Sequence, residues 1–168
     1  EFRRVLFRSD AFQPVDDVLD VTYRTMEVLL RNGVEVAFLT KGRIPKRFVD
    51  LFAAARPNVH AQIGITTLKE GIAHTLEPVA ATPTQRLTSI EALSSAGVAV
   101  TARLDPLVPD LTDSDANLHP LLRVLSERGV EEIAASYLFL RPGFAKRMRQ
   151  VLDEMYPDGS SHTWQRQA

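Results

Sequence analysis

The pattern of apolar and polar positions predicts a chain in which amphipathic helices alternate with buried strands. The helix-spaced segments cover residues 16–32, 45–55, 84–96, 114–128 and 144–155. The apolar runs cover residues 34–40, 59–66, 98–104 and 132–140. Their nearly continuous hydrophobic character is typical of parallel strands buried on both faces. Because no hairpin signals separate them, we expect a parallel α/β fold with right-handed crossovers.

Three of the helical segments end in Gly followed by Val, which is typical of a helix C-cap that leads into a strand. The junctions are Gly33-Val34, Gly97-Val98 and Gly129-Val130. The second and third junctions are about 32 residues apart, and the first and second are separated by about twice that distance. A spacing of about 32 residues matches one βα unit. About four strands are too few to close a barrel of about 250 residues. The pattern therefore leaves a small doubly wound sheet or part of a barrel.

Composition narrows the possible chemistry. The 168 residues include 20 Lys+Arg, 21 Asp+Glu and no Cys. The charge balance gives no reason to expect a nucleic-acid or membrane surface, and we expect a cytoplasmic location. Without cysteine the chain has no disulfide, thiolate metal site or Cys nucleophile. The four histidines show no ligand spacing, so no metal site is predicted.

Polar residues follow the predicted strands at the place where parallel sheets bind ligands, beyond the carboxyl ends. They are Thr40, Lys41, Thr66, Thr67, Arg103, Asp105 and residues 137–141. These residues could line a mouth for an anionic, zwitterionic or nucleotide-like ligand. Strand ends also become polar simply because they reach water, and the sequence leaves both interpretations open.

Two cations near these ends suggest specific roles. Lys41 could form a Schiff base if desolvated, pair with a carboxylate or be solvated. Arg86 lies early in a predicted helix, where the positive end of the helix dipole disfavours a cation. We therefore expect a carboxylate partner for Arg86, and Glu77 is the candidate.

Residues 1–9 are interpreted as a sequencing artefact, because Arg3 to Ser9 reads as the translation of a common sequencing adapter. The domain division that follows is an artefact over residues 1–9, a partial barrel over 10–156 and a polar tail over 157–168. The same interpretation implies a gene that continues upstream of Asp10, which favours part of a barrel over a complete small sheet.

Four segments resemble radical SAM proteins related to spore photoproduct lyase. Residues 10–16 are similar to the family's Asp-Pro-Tyr-Gln-Pro-x-Glu segment, and residues 38–42 resemble its Leu-Thr-Lys strand end. Residues 77–86 resemble its Glu-Pro segment with a following Arg, and residues 106–113 resemble its Pro-x-x-Pro segment with a following Asp. In order and spacing the resemblance covers residues 10–152.

The resemblance implies a partial TIM barrel of six units, of which this chain supplies strands three to six. It implies S-adenosylmethionine and a [4Fe-4S] cluster as cofactors, an electron donor of the ferredoxin or flavodoxin type, and hydrogen abstraction by a deoxyadenosyl radical. The cluster's Cys-x3-Cys-x2-Cys loop would lie on the missing first strand, so we expect this fragment to be inactive. The implied cofactor-binding residues are Asp10, Gln13, Thr40, Lys41, Thr66, Thr67, Glu77, Arg86 and Arg103.

The substrate stays open at this point. His74 stands where spore photoproduct lyase has a lysine, which puts repair of DNA lesions in doubt, and nucleic acid as a partner is undecided. A membrane partner is not expected. Two alternatives remain: a barrel lyase or aldolase that uses Lys41, and a cluster-free α/β scaffold or partner-binding domain.

Overall fold

The computed structural model describes residues 3–7 and 10–139, together with Arg147, Gln150 and Glu154. The elements are β1 (Arg4–Phe7), α1 (Asp16–Arg31), β2 (Glu35–Thr40), α2 (Lys46–Ala54), a 3₁₀ turn (Arg56–Asn58), β3 (Val59–Gly64), α3 (Glu70–Leu76), α4 (Pro83–Ser95), β4 (Ala99–Leu107), α5 (Asp115–Glu127) and β5 (Glu132–Tyr137). The helix predicted over residues 144–155 lies outside the described residues except at those three positions, which are helical.

The five strands form one parallel sheet in the order β1-β2-β3-β4-β5. Because spatial order follows chain order, every crossover moves one strand in the same direction, and right-handed crossovers then put all helices on one face. A doubly wound sheet would instead reverse direction at a switch point. The parallel α/β prediction is confirmed, and the architecture is that of part of a β/α barrel.

The structure has a fifth strand, β1, in addition to the four that the sequence predicts. It lies at one edge of the sheet. Arg4 to Phe7 pairs in parallel with Glu35 to Phe38, and Phe7 packs against the core. These residues belong to the segment interpreted as an artefact. Val5 and Phe7 are residue types that favour strands whatever the origin of the segment, so the interpretation of residues 1–9 stays a prediction.

Alternation along the strands separates a core face from an inner face. Val36, Phe38, Ala61, Ile63 and Ala102 belong to the hydrophobic core between sheet and helices. The intervening positions form the opposite face, which we call the inner face. Its members are Ala37, Leu39, His60, Gln62, Gly64, Ala99, Thr101, Arg103, Glu132 and Ala134.

An aromatic cluster fixes the loop that follows β1. The ring of Phe12, which is 2% exposed, meets Phe38 edge-on at 5.0 Å and Phe48 at 4.9 Å between centroids. Phe52 stacks on Phe38 at 5.3 Å. Burial of such a ring contributes roughly 1.5–3 kcal/mol. The cluster therefore holds the backbone on either side of Phe12, including Asp10, against the end of β2.

The three Gly-Val junctions are confirmed as helix C-caps. Gly33, Gly97 and Gly129 have φ of 70°, 74° and 76°. After α1, the Gly33 N–H donates to the carbonyl of Leu30 and the Val34 N–H to that of Leu29. The same pair of bonds follows α4 and α5, which is the Schellman arrangement.

Helix α3 and the C-terminal part of β4 were also not predicted. The short helix α3 has seven residues and an N-cap, Lys69, without a side-chain capping bond, so neither periodicity nor capping marked it in the sequence. Strand β4 continues past Leu104 to Leu107, which pairs with Tyr137 after a register shift. Pro106 concealed this extension, because proline cannot donate to a ladder and reads as a strand terminator.

Replacing Gly33 with Ala tests the left-handed cap. No atom lies within 4 Å of a Cβ at this position, so the substitution adds backbone strain without a clash. We expect the free energy of unfolding to fall by about 1–2 kcal/mol. The matched change Gly71→Ala, inside α3 and equally open, should raise it by up to about 1 kcal/mol. Urea denaturation measures both, and equal effects would contradict the assignment.

Candidate functional site

Asp10 anchors the loop after β1 to the end of β2. Its carboxylate accepts hydrogen bonds from the Thr40 hydroxyl at 2.7 Å and from the backbone N–H groups of Lys41 and Phe12 at 3.0 and 2.9 Å. The Thr40 hydroxyl oxygen in turn accepts from the Gly42 N–H at 2.8 Å. A Cβ at Gly42 would lie 2.5 Å from the Phe12 carbonyl oxygen. This close approach of two backbones fixes where Lys41 leaves the sheet.

Lys41, Glu77 and Arg86 form an ion-paired group that we call the strand-end cluster. Glu77 pairs with Lys41 Nζ through one carboxylate oxygen and with Arg86 Nη2 at 2.7 Å through the other. The Arg86 side chain is 3% exposed, that of Glu77 15% and that of Lys41 30%. The expected pairing of Arg86 with Glu77 is confirmed. Lys41 is the member of the cluster that solvent reaches most.

Arg86 uses its remaining donors within the protein. Its Nε donates to the carbonyl of Ala81 at 2.7 Å and its Nη1 to the carbonyl of Gly64, the last residue of β3, at 2.8 Å. Each of the three guanidinium nitrogens thus contacts a protein oxygen, which suits a buried arginine. Arg86 joins the end of β3, the start of α4 and Glu77.

Gly64 leaves the room that the Lys41 side chain occupies. A Cβ at Gly64 would lie 2.8 Å from Cγ and 2.9 Å from Cε of Lys41, so the lysine stem crosses directly over the glycine. Gly64 pairs with Arg103 on its other side. Two cations therefore flank Gly64, a position without a side chain at the end of β3. Lys41 follows the end of β2, and Arg103 lies within β4.

Arg103 forms the second cationic group of this edge. Its guanidinium pairs with the Asp105 carboxylate, with Nε to Oδ2 at 2.9 Å, and donates to Gln62 Oε1 at 3.1 Å. The side chains of Arg103 and Asp105 are 31% and 17% exposed. Gln62 and Arg103 lie on the inner face, so the Arg103 side chain leaves the sheet on the side away from the helices.

Thr66 and Thr67 are held by Asn117, a residue that the sequence analysis did not single out. The Asn117 amide donates to the carbonyls of Thr66 and Thr112 at 2.8 and 2.7 Å, and its oxygen accepts from the Thr67 hydroxyl at 2.6 Å. Asn117 is 3% exposed. It lies in the first turn of α5, which follows Ser114, and no pattern in the sequence marks it. Asn117 ties the loop after β3 to α5.

The site residues predicted from sequence fall into two kinds of position. Asp10, Thr40, Thr67 and Arg86 direct their polar groups at other protein atoms, and Thr66 is 6% exposed. Lys41, Glu77 and Arg103 are only partly enclosed. Gln13 is exposed and donates to the Asp10 carbonyl at 3.3 Å.

Tyr137, at the end of β5, lies beside the carboxylate of Asp113. Its hydroxyl donates to Asp113 Oδ2 at 3.2 Å. The negative charge of Asp113 opposes formation of tyrosinate, and this charge, followed by the hydrogen bond, raises the pKa of Tyr137. Tyr137 therefore stays protonated at neutral pH.

Within the described residues, the structure has neither a cluster of metal ligands nor a membrane-spanning helix. No group of three or more His, Cys, Asp or Glu side chains there is arranged to hold a metal ion. Within the same residues, no helix combines the length and the apolar character that crossing a membrane requires.

Comparison with known proteins finds relatives of much greater length. No protein-family model matches the chain. It is 30% identical over 136 residues to an uncharacterized protein of Mycobacterium tuberculosis, covering 79% of this chain and 40% of that protein. It is 26% identical over 148 residues to the radical SAM Nalpha-GlyT isomerase of Pseudomonas phage M6, covering 88% of this chain and 30% of that protein. The chain thus spans well under half the length of these relatives.

Solved structures show which fold the chain shares. SuiB of Streptococcus suis bound to S-adenosylmethionine superposes with a TM-score of 0.61 at 13% identity, over 98% of this chain and 37% of that one. Spore photoproduct lyase with bound AdoMet and dinucleoside spore photoproduct has a TM-score of 0.61 at 16% sequence identity. The match covers 94% of this chain and 46% of the lyase. A domain of pyruvate-formate lyase-activating enzyme from Bacteroides vulgatus has a TM-score of 0.59 at 14% sequence identity. The match covers 89% of this chain and 92% of that domain.

The chain therefore has the fold of the radical SAM enzymes, a partial TIM barrel. The resemblance to this group that the sequence motifs predicted is confirmed at the level of the fold. The lyase-activating domain is matched over nearly all of its length, so the sheet and helices described above make up most of such a domain.

Replacing Glu77 with Gln tests how much the stability of the protein depends on the negative charge within the strand-end cluster. Glu77→Gln leaves the Arg86 charge buried without its counter-ion, so the free energy of unfolding should fall by about 3 kcal/mol. Lys41→Met removes a partly exposed partner and should cost about 1 kcal/mol or less. The control Glu70→Gln, at an exposed position in α3, should change stability by no more than about 0.5 kcal/mol. Equal losses for Glu77→Gln and Glu70→Gln in urea denaturation would contradict the analysis.

Removing the Asp113 charge should restore the ordinary titration of Tyr137. Asp113→Asn lowers the pKa of Tyr137 toward the usual value of about 10, because the nearby carboxylate that opposes tyrosinate is gone. Ultraviolet absorbance against pH measures the shift, with the Tyr137→Phe spectrum subtracted to remove the other tyrosines. Asp115→Asn, which neutralises an exposed residue nearby, serves as the control and should leave the midpoint in place.

Proposed function

We propose that this chain is part of a radical SAM enzyme and that its strand-end edge binds S-adenosylmethionine through Lys41 and Arg103. The observation that carries the proposal is the pair of partly exposed cations on either side of Gly64. In related folds, SuiB and spore photoproduct lyase are seen with this same molecule bound, which supports the proposal.

The donor set fits the chemistry of S-adenosylmethionine. That molecule carries a carboxylate, an ammonium, a sulfonium and ribose hydroxyls, and it supplies the deoxyadenosyl group when its carbon–sulfur bond is cleaved. A lysine and an arginine suit the carboxylate through charge-assisted hydrogen bonds. Glu77 and Asp105 add acceptors for cationic or hydroxyl groups. We assign Gln13, Lys41, Glu77 and Arg103 as contacts.

The remaining predicted site residues are assigned as positioning residues. Asp10 and Thr40 fix the backbone from which Lys41 projects. Arg86 orients Glu77, and Thr66 and Thr67 are ordered through Asn117. The side-chain polar groups of Asp10, Thr40, Thr67 and Arg86 and the Thr66 carbonyl are already engaged by protein atoms, so these residues act on a ligand through their neighbours.

The chain's residues do not fit an iron-sulfur cluster, because thiolates are required and the sequence has no cysteine. We propose that the cluster ligands lie outside these 168 residues, which agrees with the 40% span of the mycobacterial relative. The complete enzyme would then abstract hydrogen from a substrate and require an electron donor of the ferredoxin or flavodoxin type. The present chain would bind S-adenosylmethionine without cleaving it.

The aldolase alternative is disfavoured by the surroundings of Lys41. A Schiff-base lysine needs its Nζ lone pair free to attack a carbonyl, whereas Lys41 Nζ is held in an ion pair with the Glu77 carboxylate. Borohydride reduction in the presence of pyruvate tests this alternative directly. We expect no mass increase at Lys41.

Isothermal titration of S-adenosylmethionine into the chain tests the proposal. We expect saturable binding that Lys41→Met and Arg103→Met each weaken by about tenfold or more, because a lost charge-assisted hydrogen bond costs about 1.5 kcal/mol or more. Lys46→Met is the matched control, since Lys46 lies on α2 and pairs only with Asp50 among the described residues. It should bind as the unaltered chain does.

Either of two results would overturn the assignment. A folded chain that shows no saturable heat does not bind the molecule. Equal affinity in Lys41→Met, Arg103→Met and Lys46→Met would place binding away from the strand ends and favour the scaffold alternative.

A further inference from the structure

A hydrogen-bonded row of three side chains crosses the inner face away from the strand ends. His60 Nε2 lies 2.9 Å from the Thr101 hydroxyl oxygen, and that hydroxyl lies 2.7 Å from Glu132 Oε2. His60 and Glu132 are 3.7 Å apart. His60 is near the start of β3, Thr101 near the start of β4 and Glu132 begins β5. The row therefore lies toward the amino ends of the strands, opposite the proposed S-adenosylmethionine site.

The available protons determine the direction of each bond. Thr101 is 3% exposed, so its hydroxyl relies on these two neighbours. A carboxylate only accepts, and a hydroxyl has a single hydrogen to donate. Thr101 must give that hydrogen to Glu132, and its oxygen must then accept from His60. The hydrogen of neutral His60 consequently resides on Nε2, which leaves the lone pair on Nδ1.

His60 is accessible to a ligand. Its side chain is 38% exposed, and it lines a cavity of about 390 Å³ at the amino ends of the strands. The charged groups near it are Glu132 from β5, the Arg4 and Glu35 pair from β1 and β2, and Arg56 from the 3₁₀ turn. Arg4 and Glu35 neutralise one another at 2.6 Å. Glu132 is the carboxylate that directly faces the imidazole.

We propose that His60 presents Nδ1 as a hydrogen-bond acceptor and that Thr101 and Glu132 fix the tautomer that leaves this nitrogen unprotonated. The ligand would be one that donates an N–H or O–H group to Nδ1, bound in the cavity at the amino ends of the strands. The site shares no residue with the strand-end cluster, so it does not rest on the proposed function.

Nitrogen NMR of the ¹⁵N-labelled chain tests the tautomer, with His60→Gln used to assign the signals. We expect neutral His60 to be protonated at Nε2 with a slowly exchanging ring proton. Thr101→Val should abolish the slow exchange, whereas the matched control Thr25→Val, at an exposed hydroxyl on α1, should not. A proton on Nδ1, or a spectrum that Thr101→Val leaves unchanged, would overturn the proposal.

Diethyl pyrocarbonate provides a second test that needs no variant. The reagent acylates an accessible imidazole lone pair, and Nε2 of His60 is held by Thr101, so reaction at His60 reports on Nδ1. Mass spectrometry should find His60 modified at a rate within about threefold of the exposed His119. Protection of His60 while His119 reacts would show that Nδ1 is not available.

Discussion

The buried guanidinium of Arg86 is the constraint on which the strand-end architecture depends. It binds the last carbonyl of β3, the carbonyl of Ala81 and the carboxylate of Glu77. Through Glu77 it also determines where the Lys41 ammonium lies. A cation this deeply enclosed requires acceptors on every side, so the loops after β2, β3 and α3 are held in one arrangement. The geometry of the edge follows from that requirement.

Much of the fold was predictable because its signals are local. Gly33, Gly97 and Gly129 each need the left-handed conformation that glycine tolerates, and all three junctions are C-caps in the structure. Continuous apolar runs located β2 to β5 to within a few residues. Helix α3 and the extension of β4 to Leu107 were missed, because seven residues carry little periodicity and Pro106 masks a strand that tertiary pairing completes.

The site was predictable in part, for a physical reason. Parallel strands bring their carboxyl ends together, so Lys41 and Arg103 could be placed at one edge from the strand assignment alone. The helix dipole indicated that Arg86 needed a carboxylate, and Glu77 supplies it. Asn117 and the His60, Thr101 and Glu132 row were not foreseen. The hydrogen bonds within the row, and those from Asn117 to Thr66 and Thr67, join residues 31 to 51 positions apart, a separation at which spacing carries no signal.

A crystal structure of the chain grown with S-adenosylmethionine tests the central claim most directly. The account predicts the ligand over Gly64, with its carboxylate within hydrogen-bonding distance of Lys41 Nζ or the Arg103 guanidinium. Density for the ligand at another surface, with both cations still bound only to Glu77 and Asp105, would contradict it.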